Sequence, residues 1–301
     1  MSARPVLVTG AAGLMGAHLL EAFGKLGPVA GTALTQSGGA LERLDLRAPD
    51  AARRLVGRLS PAAVVCAAAI PSVERCELEP GETRDVNVAG TLALADAARD
   101  AEATFVFLSS EYVFDGTDGP YAEYDQVNPI NEYGRQKVAV ESALAERQGG
   151  DFIVARVSCV YGHEAKRKNF VYQLWSALRE GHVLRVPGDQ IGTPTAAANA
   201  AQVIAELWSA GERGIFNVVG ADRVLRSDFG VIVAEELALD PGLVHAIPTE
   251  QLGLAAPRPK GAGLLNDRAT AAATTPLLGI RDGVRQMLAQ APIEASQEVR
   301  P

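Results

Sequence analysis

Only three cysteines, Cys66, Cys76 and Cys159, occur in the 301 residues. Their odd number and wide separation yield neither a disulfide framework nor a zinc spacing, which fits a reducing cytoplasm. His18, His182 and His245 are isolated, so no metal centre is expected. An excess of basic residues is also missing. The formal net charge is -8, which argues against general nucleic-acid affinity but leaves room for a local phosphate pocket. No apolar run is long enough to span a bilayer. Met1-Ser2-Ala3-Arg4-Pro5 enters a strand pattern almost at once, so no signal peptide is expected. Internal repeats and low-complexity segments are absent. With 48% hydrophobic and 21% charged residues, the chain reads as an ordinary cytoplasmic globular protein able to bury a full core.

What is present is alternation. Val6-Leu7-Val8, Val29 to Leu34, Leu41 to Leu46, Ala62 to Cys66, Thr104 to Leu108 and Phe152 to Val157 read as strands. Helical patterns separate most of them, including Ala51 to Leu59, Thr83 to Arg99, and a helix from Asn131 toward Arg147. Buried strands alternating with amphipathic helices specify an α/β doubly wound parallel sheet. The second half is less regular. Helices are expected at Asn169 to Glu180, Thr195 to Trp208, from a Ser227 cap to Leu239, and at Gly283 to Ala289. Residues 1–157 are assigned to a dinucleotide-binding domain to which 184–222 returns. Residues 158–183 and 223–291 form a smaller substrate-binding lobe, and 292–301 a polar tail.

Two stretches carry chemistry. The first is Thr9-Gly10-Ala11-Ala12-Gly13-Leu14-Met15-Gly16, which places Gly-x-x-Gly-x-x-Gly between the first strand and the first helix. The first glycine permits a sharp turn, the second lets backbone approach a pyrophosphate, and the third allows helix and strand to pack closely. Backbone N–H groups at a helix N-terminus add a site for anions. Gly10, Ala12, Gly13, Leu14 and Met15 are therefore assigned to a dinucleotide. An NAD site usually offers an acid after the second strand, whereas Leu34-Thr35-Gln36-Ser37-Gly38-Gly39 has none. With Arg43 nearby in sequence, the composition favours NADPH, with NADH left open. Asp45 and Leu46, which close the third strand, are placed near the adenine.

The second stretch joins Ser109-Ser110-Glu111 to Tyr133-Gly134-Arg135-Gln136-Lys137. Tyr133 and Lys137 are spaced i, i+4 and share a helix face. A lysine beside a tyrosine favours the phenolate, lowering a pKa of about 10, so the phenol can exchange a proton with a substrate oxygen. Most chance matches to Tyr-x-x-x-Lys are half-buried tyrosines whose lysine reaches solvent. Here Ser110 ends a buried strand, at the edge where such sheets bind ligands.

With these residues the chain resembles the extended short-chain dehydrogenase/reductases, and most of all the dTDP-4-dehydrorhamnose reductase group. The resemblance spans about residues 4 to 290. Beyond the stretches above it rests on Cys66-Ala67-Ala68-Ala69, Asn87-Val88-Ala89-Gly90-Thr91, Tyr112-Val113-Phe114-Asp115-Gly116, Arg156-Val157-Ser158-Cys159-Val160-Tyr161-Gly162, Asp189-Gln190-Ile191-Gly192-Thr193-Pro194-Thr195 and Arg258-Pro259. It implies a reductase of a nucleotide-linked 4-keto sugar. Tyr133 would donate the proton, Ser110 would bind the ketone oxygen, and Lys137 would hold the nicotinamide ribose. Ala67, Ala68, Ala69 and Val157 would line the cofactor, and Glu111, Asn169, Gln190 and Arg258 would face the substrate. Three departures alter the pocket. Ser110-Glu111 stands where the group has Thr-Asp, Cys159 replaces a Trp, and Lys260-Gly261-Ala262-Gly263-Leu264 replaces an Asn-Ser-Arg-Leu run. Lys260 is a candidate substitute for the missing Arg, as a point charge without its bidentate fork. Another deoxysugar or a polyol or natural-product ketone therefore stays open as substrate. So do an epimerase and a non-catalytic NADP-binding subunit like the methionine adenosyltransferase β subunit; Tyr112 after Glu111 argues against a dehydratase. Nucleic-acid and membrane partners are not expected, and oligomeric state is left open, a homodimer included.

Overall fold

The computed structural model describes residues 4–35, 41–147 and 151–290. β1 (Val6–Thr9), β2 (Val29–Ala33), β3 (Glu42–Arg43), β4 (Ala63–Cys66), β5 (Thr104–Ser110) and β6 (Phe152–Val157) join the strand Gly214–Asn217 in one sheet. From one edge the order is Gly214–Asn217, β6, β5, β4, β1, β2, β3. Every pairing in it is parallel. This is the doubly wound α/β sheet expected from the alternation. Its central strands are apolar on both faces because helices cover both. Alternate residues point to opposite sides. Val6, Val8, Val65, Val106 and Ile153 meet Leu19, Phe23 and Ile204 on one face, while Leu7, Val64, Phe105 and Val154 meet Leu55, Leu94 and Leu144 on the other. Strand order reverses between β1 and β4, which opens a crevice at their C-terminal ends.

Outside that sheet lie three short strand pairs among the described residues. Leu184–Pro187 pairs with Val244–Ile247, Ile191–Gly192 with Val224–Leu225, and Val160–Tyr161 with Thr195–Ala196. Tyr161, Leu174, Phe229 and Val284 belong to a further apolar cluster. Within 184–222, Leu184–Pro187 and Ile191–Gly192 pair outside the central sheet, whereas the helix Ala197–Ser209 packs on that sheet and the strand Gly214–Asn217 forms its edge. No helix among the described residues is long and apolar enough to cross a membrane. The polar tail 292–301 and residues Gln36–Ala40 lie outside the described residues.

Three local differences from the sequence reading have physical causes. The single helix anticipated over 83–99 is Pro80–Arg84, a π-helical turn at Asp85–Gly90, and Thr91–Asp100. The π turn brings Asn87 to Ile70 and Gly90 against Leu46, where a Cβ would fall 2.5 Å from the Leu46 carbonyl oxygen. The helix anticipated to start from a Ser227 cap begins at Arg226, leaving Ser227 buried inside it. Val73–Leu78 is an additional short helix, too short for a periodic signal to stand out.

A buried ion pair locks the helix Glu132–Arg147 to β6. Arg156, 2% exposed, donates from Nε and Nη2 to Glu141 at 3.1 and 2.6 Å and from Nη1 to the Glu123 carbonyl at 2.9 Å. Ser109 on β5 donates to the same Glu141 carboxylate. Removing one partner leaves an uncompensated buried charge, which is strongly destabilising. Glu141→Ala is expected to lower the unfolding free energy by about 3–5 kcal/mol, read from urea denaturation; a loss below about 1 kcal/mol would show that the pair is not the lock described.

Candidate active site

The glycine turn is shaped as its spacing requires. Gly10 has φ +69°, and a Cβ there would fall 2.6 Å from the Ala68 amide nitrogen and 2.8 Å from the Ala67 carbonyl carbon. A side chain at Gly16 would run into the Gly10 carbonyl. These close approaches bring β1, the first helix (Leu14–Gly24) and the loop after β4 together, with Ala12 and Gly13 exposed at the turn and Leu14 and Met15 half-buried behind them. That 11-residue helix has Gly13 as its N-cap, with no side-chain acceptor and no acid in its first turn. Its N-terminal N–H groups are thus left without a capping side chain, a setting suited to an anion. The loop carrying Ala67, Ala68 and Ala69 is held by Asn87, which accepts from the Ile70 N–H at 2.8 Å and donates to the Ile70 carbonyl at 3.0 Å. These residues fit a dinucleotide.

At the adenine end Thr35 is exposed, two residues past β2, and Arg43 pairs in register with Ala33. Asp45 is engaged: Arg47 grips it through Nε and Nη2 at 3.0 and 2.7 Å, and that hydrogen bonding holds its carboxyl below the usual range. Leu46 is buried under Gly90. The part of the anticipated 2′-phosphate loop from Gln36 to Gly39 lies outside the described residues.

Ser110, Tyr133 and Lys137 meet at the C-terminal end of β5. Asn131 caps the helix that carries the pair, its Oδ1 accepting the Gly134 N–H at 2.8 Å while its amide donates to the Pro257 carbonyl at 3.0 Å. Gly134 has no room for a side chain because the Tyr112 carbonyl abuts it. Tyr133 stands edge-on to Tyr112, ring centroids 6.0 Å apart, with Ser110 in hydrogen-bonding reach of its phenol. Lys137 donates to the Leu108 carbonyl at 2.7 Å and lies 5.4 Å from the Tyr133 ring centroid. Val157 is the register partner of Ser110 on β6.

The electrostatics differ from the sequence reading in one respect. Burial pushes the Tyr133 phenol up, followed by the neighbouring Cys76 and Tyr112, and Lys137 is not among its principal influences. Burial also lowers Lys137 to about 8, against the opposing pull of Cys66, Glu141 and Cys76. The dominant force on both is loss of water, which disfavours the charged form of each. The phenol therefore keeps its proton at neutral pH.

The anticipated substrate residues divide. Glu111, 5% exposed, follows Ser110 and carries an Oε2 with no hydrogen-bond partner. Burial raises its carboxyl; Ser158, Cys159, Arg226 and the Gly263 amide act more weakly in the opposite sense, none of them in hydrogen-bond geometry with Oε2. Asn169 starts the helix Phe170–Arg179 and donates to the Gly162 carbonyl at 2.8 Å, its Oδ1 left unpartnered. Gln190 donates to the Thr249 hydroxyl at 2.9 Å, and Arg258 donates to Glu74 at 2.6 Å. Lys260 is occupied by Asp189 and Glu250, at 2.8 and 2.5 Å. Sequence reasoning passed over Glu74, Asn87 as a clamp, and Arg226. Arg226 lies near Cys159 and Glu111, and its only sequence signal is an arginine that follows Arg223 across a short apolar pair.

A family model described as RmlD substrate binding domain matches residues 4–293. A dTDP-4-keto-6-deoxy-D-glucose reductase from Streptomyces niveus is 32% identical over 274 residues, 90% of this chain and 92% of that protein. A dTDP-4-dehydrorhamnose reductase from Burkholderia thailandensis is 30% identical over 279 residues, 87% and 90% of the two chains. Among solved structures, the dTDP-4-dehydrorhamnose reductase from Bacillus anthracis, in complex with NADP, superposes with a TM-score of 0.87 at 24% identity, covering 96% of this chain and all of that one.

Asn131 joins the cap of the Tyr133 helix to the Pro257 loop. Asn131→Ala is expected to cost about 1 kcal/mol of stability, measured as a lower urea midpoint at constant slope. An unchanged midpoint would remove the cap from the account.

Proposed function

Because the chain belongs to the RmlD substrate binding domain family, we propose that it is an NADPH-dependent reductase of the 4-keto group of a nucleotide-linked deoxysugar. The observation that carries this reading is the convergence of Ser110, Tyr133 and Lys137 at the end of β5, in the sheet whose β1 leads into the Gly10 turn. The names of the Streptomyces and Burkholderia relatives supply the substrate class. Gly10, Ala12, Gly13, Leu14 and Met15 would hold the pyrophosphate end of the cofactor, with Ala67, Ala68, Ala69, Lys137 and Val157 along the rest. The choice of NADPH is supported by exposed Arg43 near Thr35, and by Asp45 being occupied by Arg47 instead of free for a ribose hydroxyl. The three free thiols support a cytoplasmic setting.

The cofactor, when bound, supplies a hydride to the carbonyl carbon. The protein's part is the proton and the positioning. Tyr133, protonated at neutral pH by its burial, gives its phenolic proton to the ketone oxygen as charge develops there. Ser110 accepts the Tyr112 N–H at 3.3 Å and lies in hydrogen-bonding reach of the Tyr133 phenol, and its O–H would turn from that phenol to the ketone oxygen. Lys137 is fixed by the Leu108 carbonyl and keeps two further N–H donors. Its ammonium steadies the phenolate left after proton transfer. Glu111, Asn169, Gln190 and Arg258 would contact the sugar nucleotide, the last only on leaving or sharing Glu74.

Tyr133→Phe is expected to reduce turnover of dTDP-4-keto-6-deoxyglucose by at least about 10³-fold, with NADPH affinity near that of the parent by fluorescence titration. Retained turnover would refute the assignment of the proton donor. The pH profile has a defined sign. Lys137 loses its proton as pH rises through about 8, so kcat should fall on the alkaline side near that value, and a profile flat to pH 10 would exclude a role for the ammonium.

A further inference from the structure

The loop 255–258 is fastened from two directions. Asn131, the cap of the Tyr133 helix, donates to the Pro257 carbonyl at 3.0 Å. Glu74 takes both ends of the loop: its Oε2 accepts the Ala255 N–H at 2.7 Å, and its Oε1 accepts from Arg258 Nη2 at 2.6 Å. Glu74 belongs to Val73–Leu78, the short helix after the loop of Ala67, Ala68 and Ala69. That helix is itself docked on the helix Glu132–Arg147. Glu77 Oε2 accepts the Glu132 N–H at 2.8 Å, and the buried Cys76 thiol lies 3.7 Å from Gln136 Oε1. The Glu74 carboxylate is therefore presented from a backbone that is fixed relative to Tyr133.

Arg258 is gripped on one edge only. Besides Glu74 it meets the Ala256 carbonyl through Nη1 at 2.9 Å, and its Nε–H has no acceptor among the described residues. Its side chain is 11% exposed, and its guanidinium lies 6.0 Å from the centroid of the Tyr112 ring, which Tyr133 meets edge-on. Lys260, the other cation of the stretch 255–263, is held by Asp189 and Glu250. A planar fork of donors suits a phosphate, and its value depends on the side chains that aim it. We propose that Glu74 is a positioning residue: through Arg258 and Ala255 it aims the free edge of the guanidinium at the diphosphate of the sugar nucleotide. This rests on the reading of the chain as a nucleotide-sugar reductase and adds a residue that would touch neither ligand itself. A carboxylate also lowers the local positive potential. Orientation is the larger effect, because Glu74 holds the loop backbone as well as the guanidinium.

The test titrates dTDP-glucose, an unreactive probe, and NADPH separately into the full chain by calorimetry, and follows steady-state kinetics with dTDP-4-keto-6-deoxyglucose. Glu74 is 34% exposed, so its truncation opens no core cavity. Glu74→Ala is expected to weaken dTDP-glucose by about 10-fold and to raise KM for the ketone to the same extent. In that variant kcat and NADPH affinity should each move by less than about 3-fold. Arg258→Ala should lose at least as much, and adding Glu74→Ala to it should cost little further, since the first residue acts through the second. Glu74→Asp, which keeps the charge, should recover part of the loss. Tighter dTDP-glucose binding in Glu74→Ala would show that the carboxylate competes with the diphosphate for Arg258, and would overturn the role. So would equal weakening of NADPH and dTDP-glucose, losses that add in the double variant, or a wild type that binds no dTDP-glucose. If the ketone is not reduced while the dTDP-glucose affinities behave as described, the reductase reading fails and the positioning role stands.

Discussion

The placement of the helix Glu132–Arg147 against β5 is the constraint on which the rest of the site depends. Tyr133, Lys137 and Glu141 recur every four residues along it, so one rotation of that helix sets all three. Its start is fixed by the Asn131 cap and by Gly134, which lets the helix touch the Tyr112 backbone. Its middle is fixed by Lys137 on the Leu108 carbonyl, and the next turn by Glu141 on Ser109 and Arg156. Ser109 and Ser110 are adjacent on one strand. The bond that anchors the first therefore also sets the second relative to the Tyr133 phenol.

Desolvation gives this arrangement its chemistry. Half-buried against Tyr112 and within reach of Ser110, the phenol is held in its acid form, the form a reduction consumes. Burial pulls the lysine the other way, toward the range where small changes alter its charge. A pair that began as a spacing argument about mutual charge is, in the folded protein, governed first by exclusion of water. The same exclusion acts on Glu111, whose Oε2 is buried without a hydrogen-bond partner.

Much of this was legible in the sequence because the signals are local. The glycine turn, the Asn131 cap and the i, i+4 pair each depend on a few neighbouring residues and form where their patterns predict, whereas the third strand, anticipated over Leu41 to Leu46, is only Glu42–Arg43, so Asp45 and Leu46 lie beyond its end. What stayed hidden depends on partners far away in the chain. Glu74 holds Arg258 across 184 residues, Asn87 clamps Ile70 from a π turn, and Arg226 reaches Cys159 from a helix that the sequence reading starts at Ser227. The pairing of Leu184–Pro187 with Val244–Ile247 is of the same kind, since neither short strand reveals its partner. The sign of the Tyr133 shift was also out of reach, because it follows from burial and not from the spacing to Lys137.

The central claim is net reduction by hydride delivered from the cofactor to the sugar, with a protein proton completing the alcohol. It is tested most directly by incubating the protein with dTDP-4-keto-6-deoxyglucose and NADPH deuterated at the transferable position, then reading cofactor oxidation and the deuterium content of the product sugar together. The account predicts one NADPH oxidised per sugar reduced and deuterium at the former carbonyl carbon. Conversion of the sugar without NADPH oxidation, or an alcohol free of deuterium at that carbon, would contradict it.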